Sequence, residues 1–183
     1  MTTAPPGDLQ QQLTALLPNL RAFARSLSGN ADRADDLVQE TLVKAWRSRD
    51  GFRDGTNLKA WLFAILRNTY ISDIRKRRRE VADPDGVLAG QLSVNGSQNG
   101  HVDLQDFVTA LAHLPQDQKE ALLLIGAEGF SYEEVALMCG CAVGTIKSRV
   151  NRARNRLCEV MGIEGASAFV PEQHPQAPVI QQR

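Results

Sequence analysis

The sequence predicts an all-α protein: two small helical domains joined by a flexible linker, the C-terminal domain containing a helix-turn-helix. Three observations carry that expectation. Apolar residues recur at three- and four-residue spacings in two long blocks, the helical period. Only 5% of the 183 residues are aromatic and three are Cys, a composition that suits neither a strand-rich sandwich nor a disulfide scaffold. Between the blocks, from Asp83 to Asn99, the chain runs through Asp-Pro-Asp-Gly and Ser-Val-Asn-Gly-Ser-Gln-Asn-Gly, which supplies turn formers and little to bury. The expected boundaries are 8–80 for the first domain, 81–102 for an acidic linker, 103–161 for the second domain and 162–183 for a disordered tail rich in Pro and Gln.

The first domain should hold three helices around one core. Leu13, Leu16, Leu17, Leu20, Phe23, Ala24 and Leu27 keep a helical spacing that Pro18 is expected to break or kink, with Gly29-Asn30 as the stop. A second helix follows Asn30 to about Arg49, burying Ala34, Leu37, Val38, Thr41, Leu42 and Ala45. The third begins near Thr56, with Leu58, Trp61, Leu62, Ile65 and Leu66 as its apolar stripe, and continues into Arg75-Lys76-Arg77-Arg78-Arg79. At about 80 residues such a domain folds alone with little margin.

The second domain reads as four helices. One ends near His113, and the next starts with Pro115 in the first helical position and runs to about Ala127. Ser131 and Glu134 have the spacing of a capping box, so a short helix begins there and reaches about Met138. Gly140 suits a left-handed cap, and a longer helix begins near Val143. Short helix, tight turn, longer helix is the order of a helix-turn-helix.

Charge is unevenly spread although Lys+Arg and Asp+Glu both number 21. Residues 1–79 hold 14 basic and 8 acidic groups, a net of +6, whereas 80–118 hold 6 acids and no Lys or Arg. A basic part tethered to an acidic part suits a polyanion partner, the acidic stretch weakening non-specific binding or covering the basic face; solvated charge is the plainer alternative.

On the last helix, Ile146, Val150, Ala153 and Leu157 share one face and belong to the core. Opposite them lie Ser148, Asn151, Arg152 and Asn155, flanked by Lys147 with Arg154 and by Arg149 with Arg156. A polar row bordered by cations fits the major groove, where flanking phosphate contacts set register and central groups read base edges. A merely solvated amphipathic helix usually interleaves Glu or Asp with its cations, and residues 144–157 contain five basic groups and no acid.

The third helix offers a second surface. Asn68, Ser72, Arg75 and Arg79 are spaced i, i+4, i+7, i+11 and share a face. Just upstream, the loop Phe52-Arg53-Asp54-Gly55-Thr56 has an aromatic, a cation and a glycine, and beside an Asn it suits an unstacked base, with the basic run holding the strand. Phe52 capping the core and cations favoured by a helix C-terminus are the alternatives.

Chemistry for an enzyme, a metal or a cofactor is missing. His101, His113 and His174 are far apart, Cys139 and Cys141 do not have the spacing of a zinc or redox pair, and with Cys158 they read as buried thiols. No phosphate-binding glycine pattern occurs. Asp35, Asp36, Gln39 and Glu40 cluster on the second helix as an exposed patch suited to a protein partner rather than a catalytic pair. The N-terminus carries no export signal and no run approaches a membrane span, so the expected location is the cytoplasm, with no membrane partner.

These pieces resemble the extracytoplasmic-function sigma factors, two-domain initiation factors of bacterial RNA polymerase within the sigma-70 family. The resemblance covers about residues 10–160. Asp35-Asp-Leu-Val-Gln-Glu-Thr-Leu-Val-Lys-Ala-Trp46, Phe52-Arg-Asp-Gly, and Trp61-Leu-Phe-Ala-Ile-Leu-Arg-Asn-Thr69 with Asp73 and the basic run look like region two. Leu114-Pro115, Gly129-Phe-Ser-Tyr-Glu-Glu-Val-Ala136 and Gly144-Thr-Ile-Lys-Ser-Arg-Val-Asn-Arg-Ala-Arg154 look like region four. Ile125 to Glu134 and Cys139 to Arg149 are similar to the general-stress-response subgroup.

The resemblance implies partners and roles. Asp35, Asp36, Gln39 and Glu40 would dock on the β′ clamp helices of core RNA polymerase, with region four on the β flap. Asn68 and Phe52 to Thr56 would capture a flipped minus-ten base of promoter DNA, with Ser72, Arg75, Lys76 and Arg79 along the opened strand. Lys147, Ser148, Arg149, Asn151, Arg152, Arg154 and Arg156 would serve the minus-thirty-five element. An anti-sigma factor, released when a sigma-like response regulator takes it, would control the protein. Two other readings compete. A sigma mimic that only titrates the anti-sigma factor should have lost Lys147, Arg149 and Arg152, and a stand-alone helix-turn-helix regulator needs neither the Asp35 to Glu40 face nor the Asn68 helix.

Overall fold

The computed structural model describes residues 6–52, 57–81 and 104–162, with side chains described for 10–52, 57–79 and 106–162. Among these residues are seven α-helices, one 3-10 turn and no strand. The Arg53–Thr56 segment, the expected linker but for Val81, and residues 163–183 of the expected tail lie outside the described residues.

The N-terminal half consists of α1 (Pro6–Ser28), α2 (Ala31–Arg47), a 3-10 turn (Arg49–Gly51) and α3 (Leu58–Val81). Contrary to the expected break, α1 runs through Pro18; exposed Pro18 leaves the buried stripe of Leu20, Phe23, Ala24 and Leu27 uninterrupted. Gly29 ends it in the left-handed region at φ 67. Asn30 then caps α2, its Oδ1 accepting from the Arg33 amide at 2.9 Å. Ala34, Leu37, Val38, Thr41 and Ala45 of α2 are buried as expected, whereas Leu42 is only half-buried. Thr41 is tolerated in the core because its hydroxyl donates to the Leu37 carbonyl at 2.7 Å.

On α3, Leu58, Leu62 and Leu66 are buried, but so are Phe63 and Tyr70, while Trp61 and Ile65 are half-buried. The inward face is therefore rotated relative to the expected stripe. The cause is tertiary: α3 is covered by α1 and α2 on one side and by the C-terminal half on another.

That second half comprises α4 (Leu104–Ala112), α5 (Gln116–Gly126), α6 (Tyr132–Cys139) and α7 (Val143–Met161). Pro115 is the N-cap of α5 rather than its first helical residue, so the next amides find its carbonyl at 2.9–3.0 Å. α7 lies at the centre and packs against α4, α5 and α6 through Ile146, Val150, Ala153 and Leu157. The halves also pack on each other. Phe63 is 5.2 Å from Phe23 within its own half and 5.2 Å from Phe130 of the other, so one aromatic row joins both cores.

Candidate nucleic-acid interface

The turn that presents α7 follows from two local devices. Ser131 Oγ accepts from the Glu134 amide at 3.1 Å and Glu134 Oε2 accepts from the Ser131 amide at 2.9 Å, the reciprocal capping box that starts α6. Gly140, at φ 63, closes α6, and Cys141 donates its amide to the Ala136 carbonyl at 3.1 Å. Ala142 then opens α7 with no side-chain cap and no carboxylate in the first turn, which leaves its first amides open to an anion.

The buried face of α7 is 0–7% exposed, so the opposite face is fixed by packing. Lys147, Asn151, Arg152, Asn155 and Arg156 face solvent, while Ser148, Arg149 and Arg154 are half-buried. Arg149 pairs with Asp117 of α5 at 3.0 Å, and Lys147 Nζ lies 5.8 Å from the Tyr132 ring centre. Arg149 is thereby turned toward α5 and away from the outward row.

On α3, Asn68, Ser72, Arg75, Lys76 and Arg79 are exposed, a stripe of about 16 Å at 1.5 Å per residue. Phe52 is half-buried with its ring 5.1 Å from Trp61, so it covers the edge of the core; Arg53, Asp54, Gly55 and Thr56 lie outside the described residues.

On α2, Asp36 and Gln39 point into solvent. Asp35 pairs with Arg21 at 3.3 Å, and Glu40 with Lys44 at 2.7 Å, Lys44 also donating to Thr69 Oγ1 at 3.1 Å. The sequence reading missed that this row continues into exposed apolar side chains, Val43 at 48% and Trp46 at 50%. They border a groove of about 500 Å³ with Leu13, Leu17 and Leu42. The three- and four-residue spacing from Gln39 to Trp46 carried that signal.

The three thiols are free and half-buried rather than buried. Burial, with the nearby Glu120 carboxylate adding to it, pushes the Cys139 thiol up to about 11. No cluster of His, Cys, Asp or Glu among the described residues can hold a metal ion, and no described helix is long and apolar enough to cross a membrane.

Sequence reasoning also missed a set of polar contacts between the halves. Lys59 Nζ reaches Glu128 Oε2 at 2.9 Å and the Glu128 carbonyl at 2.8 Å. Arg67 pairs with the buried Glu120, Asn57 donates to Glu134 Oε1 at 2.8 Å, and Asn19 donates to Glu128 Oε2 at 3.1 Å. Burial raises the Glu120 carboxyl above its ordinary value, against the opposing pull of Arg67 and Arg149.

Comparison with known proteins matches both halves to one family. Sigma-70 region 2 matches residues 13–80 and Sigma-70, region 4 matches residues 104–157. The chain is 58% identical over 164 residues to the ECF RNA polymerase sigma factor EcfG of Rhodopseudomonas palustris, covering 90% of this chain and 91% of that one. It is 40% identical over 129 residues to the ECF sigma factor SigC of Mycobacterium tuberculosis, 68% of each chain. The sigma factor RpoE of Bartonella quintana, solved in complex with the anti-sigma factor NepR, superposes with a TM-score of 0.78 at 57% identity, covering 86% of this chain and 99% of that one. With both sigma regions present in order and most of the chain aligned at this identity, the protein belongs to the extracytoplasmic-function RNA polymerase sigma factors.

Proposed function

We propose that the protein recruits core RNA polymerase to a two-part promoter, with α7 on the minus-thirty-five element and α3 with the Phe52–Thr56 loop on the minus-ten element. It acts without catalysis of its own, in the cytoplasm. The observation that carries this reading is the outward face of α7, where Asn151, Arg152 and Asn155 stand in solvent between Lys147 and Arg156, with no carboxylate from Val143 to Cys158. In that arrangement Lys147 and Arg156 grip phosphates, and Asn151, Arg152 and the edge residue Ser148 read bases. Arg149 acts as a brace against Asp117, and Arg154 borders the groove. Asn68 receives the flipped base while Ser72, Arg75, Lys76 and Arg79 follow the opened strand. Asp35, Asp36, Gln39 and Glu40 dock on the β′ clamp helices, and region four on the β flap.

A small anti-sigma protein controls the factor, as the 57% identical RpoE solved with NepR suggests, and the likeness to EcfG supports a role in the general stress response. A sigma-like response regulator then competes for that inhibitor. The retained cations of α7 favour a working factor over a mimic.

The test is transcription by bacterial core polymerase on a promoter library, with and without the protein, reading transcript starts. Starts preceded by two spaced motifs are expected. Arg152→Ala should weaken use of the upstream motif by ~1–3 kcal/mol. Equal output from Arg152→Ala at every promoter would remove α7 from the reading.

A further inference from the structure

The cations of α7 do not all stand where their spacing would put them. Arg149, Arg152 and Arg156 fall at i, i+3 and i+7, one stripe along the helix. Arg152 and Arg156 are exposed, but Arg149, one turn nearer the start of α7, is held by Asp117 of α5. Its Nε lies 3.0 Å from Asp117 Oδ2, and its side chain is 25% exposed against 51% for the carboxylate. At that point of the stripe, solvent meets more carboxylate than guanidinium.

The framework around the pair is fixed. α5 and α7 pack on each other, with Ala121 and Leu124 of the one and Ile146 and Val150 of the other buried. Asp117 sits in the first turn of α5, where the helix dipole favours a carboxylate. The Arg149 charge also pulls on Glu120, three residues further along α5, so this guanidinium answers to the acids of α5. Asp117 and Arg149 both belong to the second half, and the pair needs nothing from the first.

The position matters because a helix-turn-helix presents the N-terminal part of its second helix to the groove. Arg149 lies within the first two turns of α7. A free guanidinium there would grip phosphate on any sequence, since it is always charged and its fork of donors fits phosphate oxygens. Such contacts add affinity and carry no sequence information. With Arg149 on Asp117, a duplex recruits it only by breaking the pair, and the approaching backbone meets a carboxylate.

We propose that Asp117 is a specificity-setting residue of the upstream contact, acting by withholding Arg149 from DNA phosphate. The proposal deepens the assignment of α7 to the minus-thirty-five element and rests on it. Affinity that is uniform over sequences leaves the ratio between right and wrong sites unchanged, but it raises occupancy of the wrong ones, which far outnumber the right. The carboxylate keeps that background low and leaves the choice of site to Ser148, Asn151 and Arg152. A pair this exposed adds little to stability, so its removal is a mild change to the fold.

The test uses holoenzyme assembled from bacterial core polymerase and the full chain. It is bound to a promoter fragment recovered from the library, and to the same fragment with its upstream motif scrambled, between about 50 and 200 mM salt. Asp117→Ala should bind both fragments more tightly by the same factor. The fall of log affinity with log salt should steepen by about 0.9, the mark of one more phosphate contact, which makes the gain about threefold larger at the low end of the series. Transcription from promoters with mismatched upstream motifs should rise relative to matched ones. Asp117→Glu should restore the wild-type slope, and Asp117→Ala combined with Arg149→Ala should lose the gain, neither of which a merely weakened α5 would do. Glu133→Gln, which removes an equal charge from the exposed start of α6, should not reproduce it. An unchanged slope in Asp117→Ala, or weaker binding confined to the intact fragment, would overturn the proposal; in the second case the pair would be holding Arg149 in a base-reading position. A gain that survives the loss of Arg149, or that Glu133→Gln matches, would overturn it in favour of a general charge effect. If wild-type holoenzyme fails to distinguish the two fragments while the slopes change as expected, the restraint stands and the assignment of α7 to the upstream element falls.

Discussion

Two carboxylates on buried or partly buried sites show how differently this molecule uses ion pairs within a half and between halves. Asp73 ties α2 to α3: its Oδ2 accepts from Arg33 at 2.8 Å and its Oδ1 from Arg77 at 3.0 Å. Burial alone would raise this carboxyl, yet hydrogen bonds from Arg77 and Arg33 outweigh it and the net displacement is downward. Glu120 ties α5 to α3 through Arg67, and there burial wins and the net displacement is upward. The first arrangement stabilises its charged form; the second carries a desolvation cost.

The largest expected effect breaks both at once. Phe63 is fully buried and its ring touches Phe23 in its own half and Phe130 across the boundary. Phe63→Ala should lower stability by about 3–5 kcal/mol, with a cavity term added to the lost burial. Urea unfolding followed by far-ultraviolet circular dichroism checks it, and a cost below about 1 kcal/mol would mean that the two cores are not joined through this ring.

Asp73→Ala comes next. It leaves Arg33, 22% exposed, without its carboxylate, and charged hydrogen bonds of this kind are worth about 1.5–3 kcal/mol each. The sign with pH is definite. A carboxyl displaced downward from 3.8 contributes stability that is present above that value and is lost as pH falls through the lower folded value. Wild type should therefore lose stability in acid below about pH 4 more steeply than Asp73→Ala. Parallel acid slopes for the two would refute the role. Glu120 has the opposite sign: its burial weighs against the packed form as pH rises through its raised value.

The comparison sharpens further if the boundary pair is replaced rather than broken. In Arg67→Met with Glu120→Leu, both charges go and similar volume remains, which for buried pairs is often neutral or favourable by ~1–4 kcal/mol. The double variant should hold the halves together with less dependence on salt than wild type, read by small-angle scattering of the full chain across a salt series. A double variant as salt-sensitive as wild type would show that the remaining Lys59–Glu128 contact alone governs the boundary.

What was readable in the sequence divides along the same line. Ser131 and Glu134 announced the start of α6, Gly140 its end, and the four-residue rhythm of Ile146, Val150, Ala153 and Leu157 oriented α7, because each signal lies within a turn or two of its effect. The burial of Phe63, Tyr70 and Phe130 was not readable. Nor were the pairings of Lys59 with Glu128 and Arg67 with Glu120, 69 and 53 positions apart, since charged residues on exposed-looking helix faces give no sign that another half will cover them. Glu120 in particular sits where a carboxylate near a helix start is normally solvated. The outward row of Asn151, Arg152 and Asn155 on α7 was readable for the complementary reason, that among the described residues it faces solvent.

The smallest effect tests whether Glu134 belongs more to its own helix or to the boundary, because one carboxylate serves both. Its Oε2 completes the capping box with the Ser131 amide, and its Oε1 receives Asn57 from the other half. Ser131→Ala removes the hydroxyl that accepts from the Glu134 amide and should cost about 1 kcal/mol, the usual value of such a cap. Asn57→Ala removes the exposed hydrogen bond to Glu134 and also the cap of α3, where Asn57 Oδ1 accepts from the Ala60 amide at 3.2 Å, and should cost a similar amount, about 1 kcal/mol. Their effects on packing should differ: Asn57→Ala frays the start of α3 and loosens the contact between halves, while Ser131→Ala frays α6 and leaves Lys59 on Glu128. Hydrogen exchange distinguishes them, with faster exchange confined to the first turn of α6 in Ser131→Ala and spread along the α3–α6 contact in Asn57→Ala. If Ser131→Ala instead released the whole contact, the cap of α6 would be part of the boundary between the halves, because the Glu134 carboxylate that it orients is the one that receives Asn57.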